Sequence, residues 1–324
     1  MSSRRRPLPK LFYTGDILGF ILNHPLNRQH KLRALGRFLR WQVGSRLAPG
    51  PVIIPFVNQT RLVARPGLMG ATGIYYTGLY EYEEMAFVLH ALRPSDRFVD
   101  IGAHIGAFSL LAAGAVGASC LAIEPVPASF AQMQENVNLN GLSSKVHCLN
   151  LGIAAQAGRL PFTTGKGAAN GVALPPPSGT TAPVASKTVE VDVQRLDALT
   201  TGFVPFIIKV DVEGFESEVI AGAERTLADD RLSAILIELR GHGRRYGFDE
   251  DAIHARLLGL GFQPFSYDPL AKSAIPGQES TPRTLTLLDG INRAAGTTIY
   301  IRNIDLIRQR IATAPRFTVH GQTL

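Results

Sequence analysis

Phe98-Val-Asp-Ile-Gly-Ala-His-Ile-Gly-Ala-Phe108 compresses an apolar strand, a glycine turn and the start of a helix into one short segment. A strand that feeds a helix through glycines brings backbone close to a ligand and aims free helix N–H groups at it. The unit then recurs. Small residues over 106–117 predict a helix, Cys120–Ile123 a strand, Ala128–Leu139 a helix and Val146–Leu151 a third strand. Phe206–Val210 and Ala234–Leu239 read as strands on either side of a helix over Glu216–Leu227. Such alternation predicts an α/β fold, a mostly parallel, doubly wound sheet of Rossmann-like type with helices on both faces. Phe262–Tyr267 and Thr297–Arg302 supply an antiparallel edge pair. Val189, Val191 and Val193 alternate with polar residues as a half-exposed strand does.

Ahead of this region lies a different kind of chain. Residues 1–50 hold ten Lys/Arg against Asp16 alone, a net +9 within a total of +7, so the remaining 274 residues carry −2. A near-neutral body argues against an extended nucleic-acid groove. The basic arm suits water, an anionic glycan or peripheral contact with anionic lipid. Residues 1–10 read as disordered, and Leu11–Leu22, interrupted by Asp16 and two glycines, as local structure and not a signal peptide. From Asn27 to Leu47, Leu32, Leu35, Leu39 and Val43 recur at helical spacing, and this apolar stripe is expected to pack on the domain. Val52–Ile54 and Arg61–Ala64 read as strands and Gly78–Leu92 as a helix. Two cysteines, Cys120 and Cys148, are too few for a disulfide framework or structural zinc site and fit reduced core thiols in a cytoplasmic protein. The expected organisation is an N-terminal extension over 1–75, a catalytic domain over 76–305 and a C-terminal helix and tail over 306–324.

The spacing of the glycine turn narrows the ligand. Nicotinamide cofactors favour G-x-G-x-x-G, in which the second glycine makes room for a pyrophosphate. Here Gly102 and Gly106 enclose Ala103, His104 and Ile105, and His104 fills the position of that glycine. S-adenosylmethionine has no pyrophosphate and tolerates the crowding. Asp100, at the strand end, is then placed to anchor the amino-acid part of that cofactor. Glu124 ends the next strand, where one carboxylate can accept hydrogen bonds from both ribose hydroxyls. Asn150, Leu151 and Gly152, after the third strand, border the adenine in this reading.

These segments resemble the FkbM-type methyltransferases over roughly residues 75–302. The resemblance rests on Gly78-Leu-Tyr-Glu-Tyr-Glu-Glu-Met-Ala-Phe87, Phe98–Phe108, Ala122-Ile-Glu-Pro-Val-Pro127 with Glu135-Asn-Val-Asn-Leu-Asn140, and Ile208-Lys-Val-Asp-Val-Glu-Gly-Phe-Glu216. It implies a methyltransferase sheet and O-methylation of a hydroxyl on a sugar, glycolipid or secondary metabolite. The family usually has Asn where this chain has His104.

Methyl transfer from a sulfonium is an in-line displacement that needs alignment and a base for the hydroxyl proton. Lys209, Asp211 and Glu213 alternate at a strand end and share one face if the chain stays extended. Asp211 and Glu213 are therefore expected to line the reaction centre, one of them accepting the proton. The competing role for Glu213 is to cap the following helix or pair with Lys209. Glu238 and His242 form a second cluster; His242 is a further base candidate, and Glu238, Arg240 and Arg244 are candidate acceptor contacts. Carboxylates at 211, 213 and 238 also suit a divalent cation, but strand-end position alone assigns no metal. Gly165–Ser186 reads as a long loop carrying Asn170 as a lid contact. The acceptor is expected to be a glycan or small molecule. A polyketide-like metabolite is the alternative, and RNA ribose a more distant one given the neutral body.

Overall fold

In the computed structural model, residues 12–67, 69–165, 169–173, 187–269 and 283–324 are described. The strands are β1 (Val52–Pro55), β2 (Arg61–Ala64), β3 (Arg97–Ile101), β4 (Ser119–Ile123), β5 (Val146–Leu149), β6 (Gly152–Ile153), β7 (Gly158–Thr163), β8 (Thr188–Gln194), β9 (Ile207–Val210), β10 (Ala234–Glu238), β11 (Gln263–Asp268), β12 (Thr284–Leu287), β13 (Thr297–Ile301), β14 (Thr318–Val319) and β15 (Gln322–Thr323). The α-helices are α1 (Phe12–Asn23), α2 (Lys31–Leu47), α3 (Met69–Thr77), α4 (Tyr82–Ala91), α5 (Ala107–Leu110), α6 (Pro127–Leu139), α7 (Leu196–Leu199), α8 (Glu216–Ala221), α9 (Glu224–Ala228), α10 (Glu250–Gly259) and α11 (Ile304–Ala312).

The main sheet has eight strands in the order β12-β11-β13-β10-β9-β3-β4-β5. Its five-strand centre, β10 to β5, is parallel throughout. β13 runs antiparallel to both β10 and β11, and β12 extends that antiparallel edge by one strand beyond the expected pair. Successive residues of each central strand enter different cores. Phe98, Cys120, Ile207 and Leu236 face the helices of the N-terminal extension, α4, α6 and α11. Val99, Leu121, Ile208 and Ile235 face α8, α9 and α10. Apolar residues on both faces of one strand are what burial under two helical layers requires.

The extension and the catalytic region share a core: Ile21, Leu26, Ala34 and Trp41 are buried in the same cluster as Phe98 and Leu236. The chain end closes on it too, as the β14–β15 hairpin bridges Val57 through Val319. Cys120 is buried, Cys148 half-buried, and neither is bonded to the other. Among the described residues, no helix is long and apolar enough to cross a membrane.

Three local expectations change. The predicted helix over 216–227 breaks into α8 and α9 at Gly222, which passes so close to the Ala154 carbonyl that a Cβ there would collide with it. The third strand stops at Leu149, where the Asn150 side chain turns to donate to the carbonyls of Glu124 and Pro125, at 2.8 and 2.9 Å. The largest change is in α2. Leu32, Leu39 and Val43 do not pack on the domain; they are exposed, and the opposite side, with Ala34, Phe38 and Trp41, faces inward. Arg37 fixes that choice by donating to Asn27 Oδ1 at 2.6 Å and to the Tyr76 carbonyl at 2.9 Å.

Candidate active site

The glycine turn sits where the ends of β3, β4 and β9 converge, the carboxyl edge at which open α/β sheets place ligands. Gly102 has φ +78°, and a Cβ there would strike the Asp211 carbonyl, so this position tolerates no side chain. The N–H groups of Gly102 and Ala103 both donate to the Ile123 carbonyl at 3.0 Å, stitching the turn to β4. Asn136 of α6 secures the far side by donating to the Ile105 carbonyl at 2.8 Å. His104 adopts φ +50°, a left-handed conformation that Asn, Asp and His enter more readily than other side-chain-bearing residues. The backbone at this position thus suits His, as it would suit Asn.

Below the turn, a cavity of about 260 Å³ is lined by both halves of the anticipated site. Asp100, Gly102, Ala103, His104 and Glu124 all reach it. Gly106 does not; its φ of +80° starts α5, close against Met133. Asn150 and Leu151 are also displaced from the wall, the first tied to the Glu124–Pro125 backbone and the second buried in the core. Gly152, the third of the expected residues, does line the cavity, and Ile153 joins it. The third strand's border is therefore shifted along the chain by the turn that Asn150 makes.

Glu124 is almost fully buried. Its Oε2 accepts the His104 N–H at 2.8 Å and its Oε1 the Val126 N–H at 2.9 Å. A carboxylate has about four lone-pair sites, so two remain for a ligand diol. Burial pushes its carboxyl up to about 7, against the pull of those two N–H groups. Asp100 accepts from Ser109 Oγ at 2.7 Å through Oδ2, while its Oδ1 is buried with no hydrogen-bond partner. An unsatisfied buried carboxylate oxygen on a cavity wall fits a ligand ammonium or a bridging water. These features suit S-adenosylmethionine: an acceptor for its ribose and a carboxylate for its amino-acid end, beside a turn that carries His104 where nicotinamide cofactors favour glycine.

At the other end, Lys209 is the hub that the sequence alone did not single out. Its Nζ lies 2.8 Å from Asp211 Oδ2 and 4.7 Å from the centre of the Phe108 ring, with only 6% of the side chain exposed. Burial depresses an ammonium, but Asp211, Glu81 and Asp100 together outweigh it and hold Lys209 above its ordinary range. Burial likewise works against the Asp211 carboxylate, and Lys209 overrides it to keep that group ionised below its ordinary value. Glu81, ahead of α4, is pushed up by burial despite the pull of Lys209. The segment Gly78–Phe87 contained it, but nothing local marked it as a cavity residue.

Glu213 does not share the strand face of Lys209 and Asp211. β9 ends at Val210, and Glu213 takes φ +55°, which swings its carboxylate to within 3.3 Å of His242 Nδ1. Nor does it cap the next helix, whose start carries no side-chain cap; Glu216 instead braces the turn before α8, its Oε1 accepting from the N–H groups of Val212 and Gly214 at 3.2 and 3.1 Å. Burial and the charge of Asp211 raise the Glu213 carboxyl, partly offset by His242. Glu238 is raised too, by burial and by Asp211, although Arg240 Nε lies 2.8 Å from its Oε1. Glu238, Arg240 and Asn170 line the cavity as expected, whereas Arg244 is an exposed residue outside its wall. Glu213, Glu238 and His242 offer one ligand atom each within 4.8 Å of one another, a spacing that suits a divalent cation. This set replaces the 211, 213 and 238 grouping, because Asp211 is committed to Lys209.

The Methyltransferase FkbM domain model matches residues 100–264, which includes the glycine turn, Glu124, the β9 cluster and His242. A curated relative, Methyltransferase sdnD of Sordaria araneosa, is 30% identical over a match covering 40% of this chain and 62% of its own length. Alignable solved structures include methyltransferase FkbM from Methylobacillus flagellatus KT, 17% identical with a TM-score of 0.42 over 71% of this chain and 52% of that one. Another is M. capricolum TrmK in complex with S-adenosyl-homocysteine, 9% identical with a TM-score of 0.34 over 68% of each chain. Half of the chain is thus matched by one family model, in the region that builds the cavity, and the protein belongs to the FkbM methyltransferase family.

Proposed function

We propose that this methyltransferase uses S-adenosylmethionine to methylate a hydroxyl of a sugar, polysaccharide or glycolipid. The observation that carries the proposal is Glu213, on the wall of the cavity that also presents Asp100 and Glu124, and paired with the exposed His242 just outside it. When bound, S-adenosylmethionine supplies a methyl group on a positively charged sulfur for in-line displacement by the acceptor oxygen. Glu124 would hold the ribose through its free lone pairs, and Asp100 would receive the amino-acid end at its unpartnered Oδ1. Asp211 is a poor proton acceptor because Lys209 stabilises its ionised form. Glu213 is better matched: burial and the charge of Asp211 raise its carboxyl, and His242 Nδ1 lies 3.3 Å from it. The proton of the acceptor hydroxyl would pass to Glu213, whose ion-pair partner is His242.

A polyol acceptor fits the polar half of the cavity better than an apolar one. Glu81, Asp211, Glu238 and Arg240 converge there, and carboxylates and guanidinium groups satisfy adjacent hydroxyls in pairs. The decisive experiment incubates the protein with radiolabelled methyl donor and a fractionated host extract. The reading expects alkali-stable label in a carbohydrate-containing fraction. Label confined to RNA, or to a carbohydrate-free lipid or metabolite, would refute it. With the acceptor identified, Glu213→Gln is expected to lower kcat by roughly 10²-fold or more, with donor affinity unchanged.

A further inference from the structure

The outward face of α2 is apolar without being covered. Leu32, Leu39, Val43 and Leu47 follow one another at helical spacing along a single stripe, and they are 86%, 52%, 56% and 80% exposed. Isolated exposed leucines are ordinary, but an aligned series over four turns is an interaction surface. Val52 and Ile53, which follow in β1, are exposed as well. Lys31, Arg33, Arg40 and Arg46 on the same helix are exposed to solvent. The charge is one-sided over a long distance: from Ile17 to Tyr80 the chain carries Arg28, Lys31, Arg33, Arg37, Arg40, Arg46, Arg61 and Arg65, and no Asp or Glu.

We propose that this face docks on the surface of an anionic lipid bilayer, with the leucine stripe inserted among the headgroups and the basic side chains at phosphate level. An interfacial helix has this composition: an apolar stripe, low overall hydrophobicity and basic flanks. The charge discriminates among occupants. A second copy of the chain would bring the same basic segment against itself, and residues 1–10 add Arg4, Arg5, Arg6 and Lys10 with no acidic residue. Neither neutralises the face, whereas an anionic bilayer answers both its charge and its apolar stripe.

The face is braced against the cavity. Arg37 on the inner side of α2 holds the Tyr76 carbonyl of α3, Phe38 packs on the Tyr76 ring and Trp41 on Tyr75. Gly70 and Ile74, also on α3, line the cavity. Docking through α2 therefore seats the catalytic cavity one helix away from the lipid surface. The inference concerns where the protein sits and is independent of which acceptor it methylates.

The test is flotation of the full chain with vesicles of phosphatidylcholine alone and of phosphatidylcholine with about one third phosphatidylserine. The proposal expects binding to the anionic vesicles at least about tenfold stronger than to neutral ones, and weakening as salt screens the charge. Leu32→Ser/Leu39→Ser/Val43→Ser should reduce anionic binding at least about tenfold, with melting temperature and S-adenosylmethionine affinity unchanged. Should that variant misfold, Lys31→Glu/Arg33→Glu/Arg40→Glu reads the same face and should lose binding to a similar degree. Three results overturn the proposal: no binding to either vesicle, full binding in the surface variants, or a wild-type dimer that the leucine substitutions dissociate.

Discussion

Replacing Lys209 by Met keeps the packing of the side chain's stem and removes a single charge from the middle of the site. In the native protein that charge lies 2.8 Å from Asp211, with 6% and 28% of the two side chains exposed. It also draws down the carboxyl groups of Asp100 and Glu81. Removing one partner of a buried pair costs about 3–5 kcal/mol, because the other charge is left without compensation. At roughly 2–3 °C per kcal/mol for a chain of this size, the melting temperature should fall by roughly 6–15 °C near neutral pH. The penalty should depend on pH in a defined direction. Without Lys209, the carboxyls of Asp100 and Glu81 rise further above their unfolded values, and that of Asp211 loses the depression Lys209 imposes on it. Groups shifted that way contribute stability below the unfolded value, and the contribution is lost as pH rises through the folded one. The deficit against wild type should therefore be small near about pH 5 and full near about pH 8. Thermal melts followed by circular dichroism at both pH values measure it. Adding Asp211→Asn to the variant should restore part of the loss, since the two residues interact directly. A drop below about 2 °C, or one equal at both pH values, would refute the idea that Lys209 organises this cluster.

The turn makes its own predictions. Gly102→Ala puts a methyl group into the Asp211 carbonyl at a positive φ, so the protein should be severely destabilised or insoluble on expression. His104→Asn should melt within about 1 °C of wild type or above it, while His104→Val should lose about 1–2 kcal/mol, because a β-branched residue enters the left-handed region poorly. Equal melting of the two variants would show that the backbone conformation is not what restricts this position. Glu124→Gln keeps the size of the side chain but forfeits one acceptor oxygen, and calorimetry should show S-adenosylmethionine affinity reduced at least about tenfold.

Much of the fold could be read from local pattern. Val99 and Ile101, Leu121 and Ile123, Ile208 and Val210, and Ile235 and Ile237 are apolar, as are most of their neighbours apart from Asp100 and Lys209, because both faces of each strand are covered, and short apolar runs between helical segments carry that information. Phe98–Phe108 and Glu124 were legible for the same reason: a turn or a strand end is specified by its own few residues. The α2 face was misjudged because periodicity locates an apolar stripe but does not say what covers it. The inward side is selected by Tyr76, 39 residues beyond Arg37, through a hydrogen bond to its carbonyl. Glu81 escaped notice for a comparable reason, since its neighbour in the site, Lys209, lies 128 positions away. Glu213 was placed on the wrong face because alternation assumes an extended strand, and the chain turns left-handed there. The anticipated loop over 165–186 falls largely outside the described residues, apart from the part that brings Asn170 to the cavity.

Titration calorimetry of the full chain with S-adenosylmethionine and, separately, with NAD tests the account where everything else depends on it. Both ligands present a ribose diol to Glu124, but NAD must also pass a pyrophosphate over the turn at His104. The geometry predicts saturable binding of S-adenosylmethionine, weakened in Glu124→Gln, and no measurable binding of NAD. Binding of NAD with none of S-adenosylmethionine would contradict the reading of this cavity.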